Sequence, residues 1–310
     1  MIFSSIEDIK HLSINERLKY LGKEKKTFIK KREYRSNMML NPLNLKHLNR
    51  IDNQQADMIT LNLEDAIAPS RKREALVNIA LFLSHLKSSN SFIIVRTNPL
   101  NDGGIEEIKF LNDFAFDAIR VAKVKDQRDI EKALNILDIS KELHISMETK
   151  EAFGNLSSLR IDKRFTTANI GILDLLTSLG LPQSLVQRDN PTIHYILSKF
   201  LIESKIAGLH PISFMYQDYK NIDEFKKWCK LEKKMGFTTK ACMGPLQVEI
   251  ANKIFGSTDK EIQKAKYIKK VFEESAKRGE NGFMDKKYGF IDEPIYRDAL
   301  LVLEAHLDRY

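Results

Sequence analysis

The chain has 310 residues, 43% hydrophobic and 30% charged. That suits a soluble globular protein with room for one large barrel or two ordinary domains. No window approaches the roughly 18 apolar residues that would span a bilayer, and residues 1–13 lack the basic start and apolar core of a secretion signal. Two cysteines, Cys229 and Cys242, are too few for a disulfide framework, and a net charge of +8 favours polyanionic ligands.

In chain order, residues 5–31 read as one or two polar helices. The basic stretch from Lys19 to Arg32 makes 1–34 a basic helical extension, in its plainest reading a solvated helix face or arm. Eight apolar, β-like runs follow, at 37–40, 58–63, 92–96, 118–124, 144–147, 167–172, 205–210 and 239–243. Segments of helical spacing separate them, among them 71–86, 105–114, 127–137, 192–203 and 222–235. Strand–helix alternation argues for a parallel sheet, at a cadence of about 30 residues per unit. Eight units favour an α/β fold of the (β/α)8 TIM barrel kind over 35–250. The open doubly wound alternative usually carries a glycine-rich first turn, and neither GxGxxG nor GxxxxGK[ST] occurs here. Beyond the barrel, 259–278 reads as a charged helix, 279–289 as loop and 295–307 as a final helix. Together they make 251–310 an appendage long enough to reach a neighbouring subunit.

Polar residues recur where the runs end, and in such a barrel catalytic groups sit at the C-terminal ends of the strands. Glu64 and Asp65 close the second run, Arg96 the third, and Glu148 the fifth; Lys123 lies at the end of the fourth and Asp174 follows the sixth. Glu148 and Asp174 supply hard oxygen donors of the number that Mg2+ uses. Each also has a plain structural reading, as a helix cap or first-turn acid. Arg96 can hold a carboxylate through two parallel hydrogen bonds, or serve in a structural ion pair. Lys123 reads as an electrostatic partner of the acids rather than a Schiff-base amine. His210 reads as a core histidine. No Gly-x-Ser-x-Gly elbow is present.

These residues resemble a known family. Arg35-Ser36, Leu63-Glu64-Asp65-Ala66-Ile67-Ala68-Pro69 with Lys72, Val95-Arg96-Thr97-Asn98, Lys123-Val124, Glu148-Thr149, Gly171 through Asp174-Leu175, and Ile291-Asp292-Glu293-Pro294 look like the citrate lyase beta subunit family. That family is grouped with the malyl-CoA lyases and HpcH/HpaI aldolases, and the likeness runs in order from about residue 35 to 300. The resemblance implies a Mg2+-binding TIM barrel, commonly a homotrimer, that cleaves or forms a 3-hydroxyacyl-CoA such as citryl-CoA or malyl-CoA. Coenzyme A enters as part of the substrate. Carried over by position, Glu148 and Asp174 hold the metal, and Glu64 and Asp65 bind its waters or the loop around it. Arg96 grips the 2-oxo acid carboxylate. Lys123 and Arg35 fall to the coenzyme, and Asp292 is the acid/base on a C-terminal segment that closes over a neighbouring subunit's site.

The chain departs from the family pattern at several places. It has Asn62 for the usual Asp, Ala122 for a Pro before Lys123, a delayed Gly154, Met243-Gly244-Pro245 for Ile-His-Pro, and Leu40-Asn41-Pro42 for a Pro-Gly turn. The substrate therefore stays open. So do two other readings, a CoA-independent 2-oxo acid aldolase on the same barrel and a non-catalytic basic binding protein. Nucleic acid is a minor option in the absence of any recognisable binding motif. The expected compartment is cytoplasmic, with both thiols free and no membrane partner.

Overall fold

The computed structural model describes residues 1–23 and 34–307. The chain divides into two compact units, one running to Phe255 and the other from Gly256. The basic residues expected between 24 and 33 lie outside the described residues.

The first unit is a barrel of eight parallel strands. These are β1 (Ser36–Leu40), β2 (Met58–Asn62), β3 (Phe92–Thr97), β4 (Ala118–Val121), β5 (Glu142–Met147), β6 (Phe165–Ile170), β7 (His210–Ile212) and β8 (Lys240–Cys242). They run in the order β7-β6-β5-β4-β3-β2-β1-β8. Closure comes where Ser213 bridges Lys240 in parallel. There the Ser213 N–H donates to the Thr239 carbonyl at 3.0 Å, and the Ala241 N–H to that of Ser213 at 3.1 Å. Helices cover the outside, as expected of a barrel whose strands are buried on both faces. No helix among the described residues is long and apolar enough to cross a membrane.

Side-chain alternation places the chemistry. Along β2, Ile59, Leu61 and Leu63 join the main core under the helices, so Met58, Thr60 and Asn62 face the barrel interior. Met58 packs with Ile94, Ala118 and Ile212 in a separate apolar cluster, against Tyr34 and Phe92. Two residues further along the same strands the interior turns polar, at Thr60, Arg96 and Arg120. The apolar layer thus closes the barrel below, and a polar layer opens towards the strand ends.

The N-terminal extension contains the short helices Glu7–Lys10 and Ile14–Lys19. It is not a loose arm at that point. Arg17 is buried, and its Nη1 donates to Asn78 Oδ1 at 2.6 Å on the helix Lys72–Ser84. The second unit carries the helices Asp259–Ala276 and Glu293–Leu307. Between them, the stretch expected to be loop contains most of an antiparallel hairpin, β9 (Gly282–Asp285) with β10 (Gly289–Asp292).

Two expected strands need correction. Of the run at 205–210, Lys205 and Ile206 end the helix Pro191–Ile206, residues 207–209 form the turn after it with Gly208 at φ 70°, and His210 begins β7 rather than ending a strand. An apolar helix tail and a short strand look alike in sequence, and Ile206 is in fact exposed. The run at 118–124 stops pairing at Val121, because Lys123 has φ 53° and leaves the β region.

Both cysteines are free and buried. Close by, Lys240 Nζ meets Glu232 Oε1 at 2.6 Å, with both side chains 0% exposed, and lies 3.6 Å from the centre of the Phe214 ring. Removing one partner leaves a buried, uncompensated charge. Glu232→Ala should therefore lower stability by about 3–5 kcal/mol, whereas Glu232→Leu combined with Lys240→Met should recover most of the loss. Denaturant unfolding of the single and double variants checks this, and equal losses in both would refute it.

Candidate active site

The end of β2 turns sharply at the barrel mouth. The Glu64 N–H donates to Asn62 Oδ1 at 3.2 Å, and the Asp65 N–H to Glu64 Oε2 at 2.9 Å. Lys72 fastens this turn from behind, donating to the carbonyls of Leu63 at 2.8 Å and Glu64 at 3.1 Å and to Asn98 Oδ1 at 2.5 Å. Asn98 is itself held by Glu107, which accepts from the Asn98 N–H at 2.8 Å. The two acids thus stand on backbone with little freedom to move.

Arg96, from β3, is the hub. Its Nη2 lies 2.7 Å from Glu64 Oε2 and 3.2 Å from Glu148 Oε2, and its Nη1 lies 3.2 Å from Asp65 Oδ2. Glu148 follows β5 directly. Its Oε1 accepts the Lys123 backbone N–H at 2.8 Å, while Lys123 Nζ reaches Glu64 Oε1 at 3.4 Å. The positive φ of Lys123 costs a side-chain-bearing residue about 1–2 kcal/mol. Such strain is characteristic of functional sites, and here the strained residue aims both its amide and its amine at the acids. Gly171, after β6, makes the space for Glu148, since a Cβ there would lie 2.6 Å from Glu148 Oε2. Asp174 follows in the first turn of the helix Ile172–Ser178.

A cavity of about 320 Å3 opens beside this cluster, and Asp65, Arg96, Arg120, Glu148, Asn169 and Asp174 all line it. Apolar side chains, including Leu173, Met215 and Met243, complete its wall. Four carboxylates face two close cations, and the charge shows in their acidities. Burial, reinforced by the hydrogen bond with Asp65, pushes the Glu64 carboxyl up to about 7 in spite of Arg96. Burial also pushes at Asp65, but the hydrogen bond with Glu64 and the charge of Arg96 outweigh it and hold that carboxyl below its ordinary value. Burial raises Glu148, with Asp174 adding to the effect and Arg96 opposing it. Burial opposes the charge on Lys123, but Glu64, Asp65 and Asp174 outweigh it and raise the amine.

An excess of hard oxygen donors at one cavity suits a divalent cation. Among the described residues no group of three or more His, Cys, Asp or Glu is placed to hold a metal ion. Glu148 and Asp174, the pair expected from the sequence, both line the cavity, and one or two carboxylates completed by water and substrate oxygens is the habit of Mg2+. The hydrogen bonds that Glu148 already accepts leave it free lone pairs, because a carboxylate has about four acceptor positions.

Of the residues picked out in the sequence, Glu64, Asp65, Arg96, Lys123, Glu148 and Asp174 meet here. Arg35 does not. It precedes β1, at the opposite end of that strand from the acids, where its guanidinium forms a two-pronged pair with Asp57 at 2.8 Å. Asp292 ends β10 in the second unit, and its Oδ1 accepts from the Ile295 N–H at 3.2 Å. His210 bonds through Nε2 to Thr239 Oγ1 at 2.7 Å, away from the mouth. Arg120, Asn169 and Gly171's steric role were missed. Arg120 carried a signal, being a charge in the middle of an apolar run.

The raised Glu64 carboxyl has a consequence for stability. The folded protein keeps that proton up to about pH 7, whereas an unfolded chain releases it near the ordinary carboxyl value of 4.5. The folded state therefore binds more protons in this window, so stability falls as the pH rises through it. In chelator-treated protein the unfolding midpoint should drop between pH 5 and 7.5, and Glu64→Gln should flatten that slope. Identical slopes would refute the assignment.

Comparison with known proteins agrees with this fold. The family model described as HpcH/HpaI aldolase/citrate lyase matches residues 35–245. A (3S)-malyl-CoA thioesterase of Cereibacter sphaeroides is 29% identical over 226 residues, covering 73% of this chain and 78% of its own. A citrate lyase subunit beta of Haemophilus influenzae is 26% identical over 260 residues, covering 80% and 88%. Among solved structures, protein CitE from Mycobacterium tuberculosis, in complex with magnesium, acetoacetate and coenzyme A, superposes with a TM-score of 0.69 at 16% identity, over 87% of this chain and 97% of that one. With the match spanning β1 to β8, this chain belongs to the HpcH/HpaI aldolase/citrate lyase family.

Proposed function

We propose that the protein is a Mg2+-dependent carbon–carbon lyase that cleaves a 3-hydroxyacyl-CoA into acetyl-CoA and a 2-oxo acid, or runs the same step in reverse. One observation carries this reading. Glu148 and Asp174, far apart in sequence, line one cavity beside an arginine bound to three carboxylates. Glu148 and Asp174 would hold the ion, which when bound supplies Lewis-acid polarisation of the oxo-acid oxygens.

The chain's own groups account for the remainder. In the cleavage direction the 3-hydroxyl proton is removed and the C2–C3 bond breaks. The carbonyl of the 2-oxo acid forms, and the electron pair passes into the thioester enolate. That enolate takes a proton on carbon to give acetyl-CoA. A carboxyl with its pKa near neutrality suits such transfers, and Glu64 answers that description. By the family resemblance Asp292 is the second acid/base, brought by the C-terminal segment of a neighbouring subunit in a trimer. Lys123, with 44% of its side chain exposed, is a cation that coenzyme phosphates can reach.

A second reading comes from the thioesterase relative. Hydrolysis releases a free thiol, whereas carbon–carbon cleavage keeps the thioester intact. Purified protein with Mg2+ and malyl-CoA or citryl-CoA should yield acetyl-CoA and a 2-oxo acid with no rise in free thiol. A stoichiometric thiol signal would favour hydrolysis. Turnover of pyruvate with an aldehyde in the absence of any thioester would favour the CoA-independent aldolase. Glu148→Gln should lower activity at least about 100-fold, and Gly171→Ala should weaken Mg2+ binding about 10- to 100-fold by displacing the Glu148 carboxylate. Calorimetric titration with Mg2+ measures the latter, and unchanged affinity would remove Glu148 from the ion.

A further inference from the structure

Arg120 has no task in that scheme. It lies inside the barrel on β4, only 4% exposed, and lines the cavity. Its Nη1 donates to Asn169 Oδ1 at 3.1 Å, an oxygen that also accepts from Asn37 Nδ2 at 3.2 Å. Its Nε has no hydrogen-bond partner. Among the described residues Arg120 makes no ion pair. Arg96, by contrast, pairs with three carboxylates.

A buried charge is ordinarily paired, because desolvating it alone costs several kcal/mol. Arg120 meets the opposite condition, since burial and the repulsion of Arg96 lower its pKa to about 9. Glu148, Glu64 and Asp65 oppose that shift from a distance, but the cavity holds one guanidinium paired with carboxylates and one that, among the described residues, forms no ion pair. Strand register separates them from the metal-binding pair. Arg120 stands level with His144 on β5, and Glu148 comes four residues later, towards the mouth. Arg120 is thus on the floor, with Glu148 and Asp174 above it.

We propose that Arg120 receives a second carboxylate of the 2-oxo acid, so that the acid released or consumed here is dicarboxylic. The proposal rests on the lyase reading and refines it. The upper end of the acid, with its keto group and first carboxylate, belongs with Glu148 and Asp174, and the far carboxylate reaches down to the unpaired guanidinium. Arg96 then orders the acids of the site instead of carrying the selectivity.

Oxaloacetate and pyruvate differ by that one carboxylate, which makes them the probes. Calorimetric titration of full-length protein in Mg2+ should show oxaloacetate binding at least about tenfold tighter, the scale of a charge-assisted pair. In Arg120→Met this advantage should vanish, with pyruvate affinity altered less than about threefold, a change that loss of an unused charge allows. Arg120→Lys keeps the charge without the planar fork and should retain an intermediate preference; it also serves if the methionine variant fails to fold. Equal binding of the two acids to the unaltered protein, or a Met or Lys variant that weakens both equally, overturns the proposal and leaves the lyase reading standing. Failure of the unaltered protein to bind pyruvate, glyoxylate and oxaloacetate alike in Mg2+ overturns both.

Discussion

Arg96 holds the site together. One guanidinium contacts Glu64, Asp65 and Glu148 within 3.2 Å, and without it three acids would crowd one barrel mouth with little to compensate them. Like charges at such separations cannot all ionise. The compensation is incomplete even with Arg96 in place, as the elevated Glu64 carboxyl shows. That shift originates chiefly in the burial of the acid by the barrel walls.

The rest of the first unit serves this arrangement. The apolar cluster at Met58, Ile94, Ala118 and Ile212 blocks the lower barrel, so ligands can enter only from the strand ends. Lys72, Asn98 and Glu107 pin the turn that carries Glu64 and Asp65. Gly171 leaves a gap for the Glu148 carboxylate that no side chain could share. The departures from the family pattern lie around this centre rather than within it. Asn62 lines the cavity with an amide and accepts the Glu64 N–H. Met243, which opens the Met243-Gly244-Pro245 segment, stands on the wall. Changes of this kind alter the shape and polarity of the cavity while leaving Glu148 and Asp174 in place.

Much of this was legible in the residues before any coordinates. The period of strands and helices carries the barrel, because a strand buried on both faces must be an uninterrupted apolar run. A carboxylate placed where such a run ends has no packing reason to be there. Those two signals pick out Glu64, Asp65, Glu148 and Asp174, and a charge at the end of the third run picks out Arg96; the structure brings these residues to one mouth. The signals failed at 205–210, where the tail of a helix imitates a strand, and at 279–289, where short hairpin strands sit among turn residues. Arg35 lies away from the acids because a residue just before a strand and one just after it stand at opposite ends of a barrel.

The sequence by itself determined the kind of fold and the identity of the acids, since periodicity and the type of residue at each strand end are local properties. Only the tertiary structure decided which charges cancel. It gave Arg96 three carboxylate partners and Arg120, among the described residues, an amide but no ion pair, though the two occupy matching positions on adjacent strands. Charge pairing depends on distances through space, across strands separated by tens of residues. No spacing along the chain encodes which guanidinium the acids will claim.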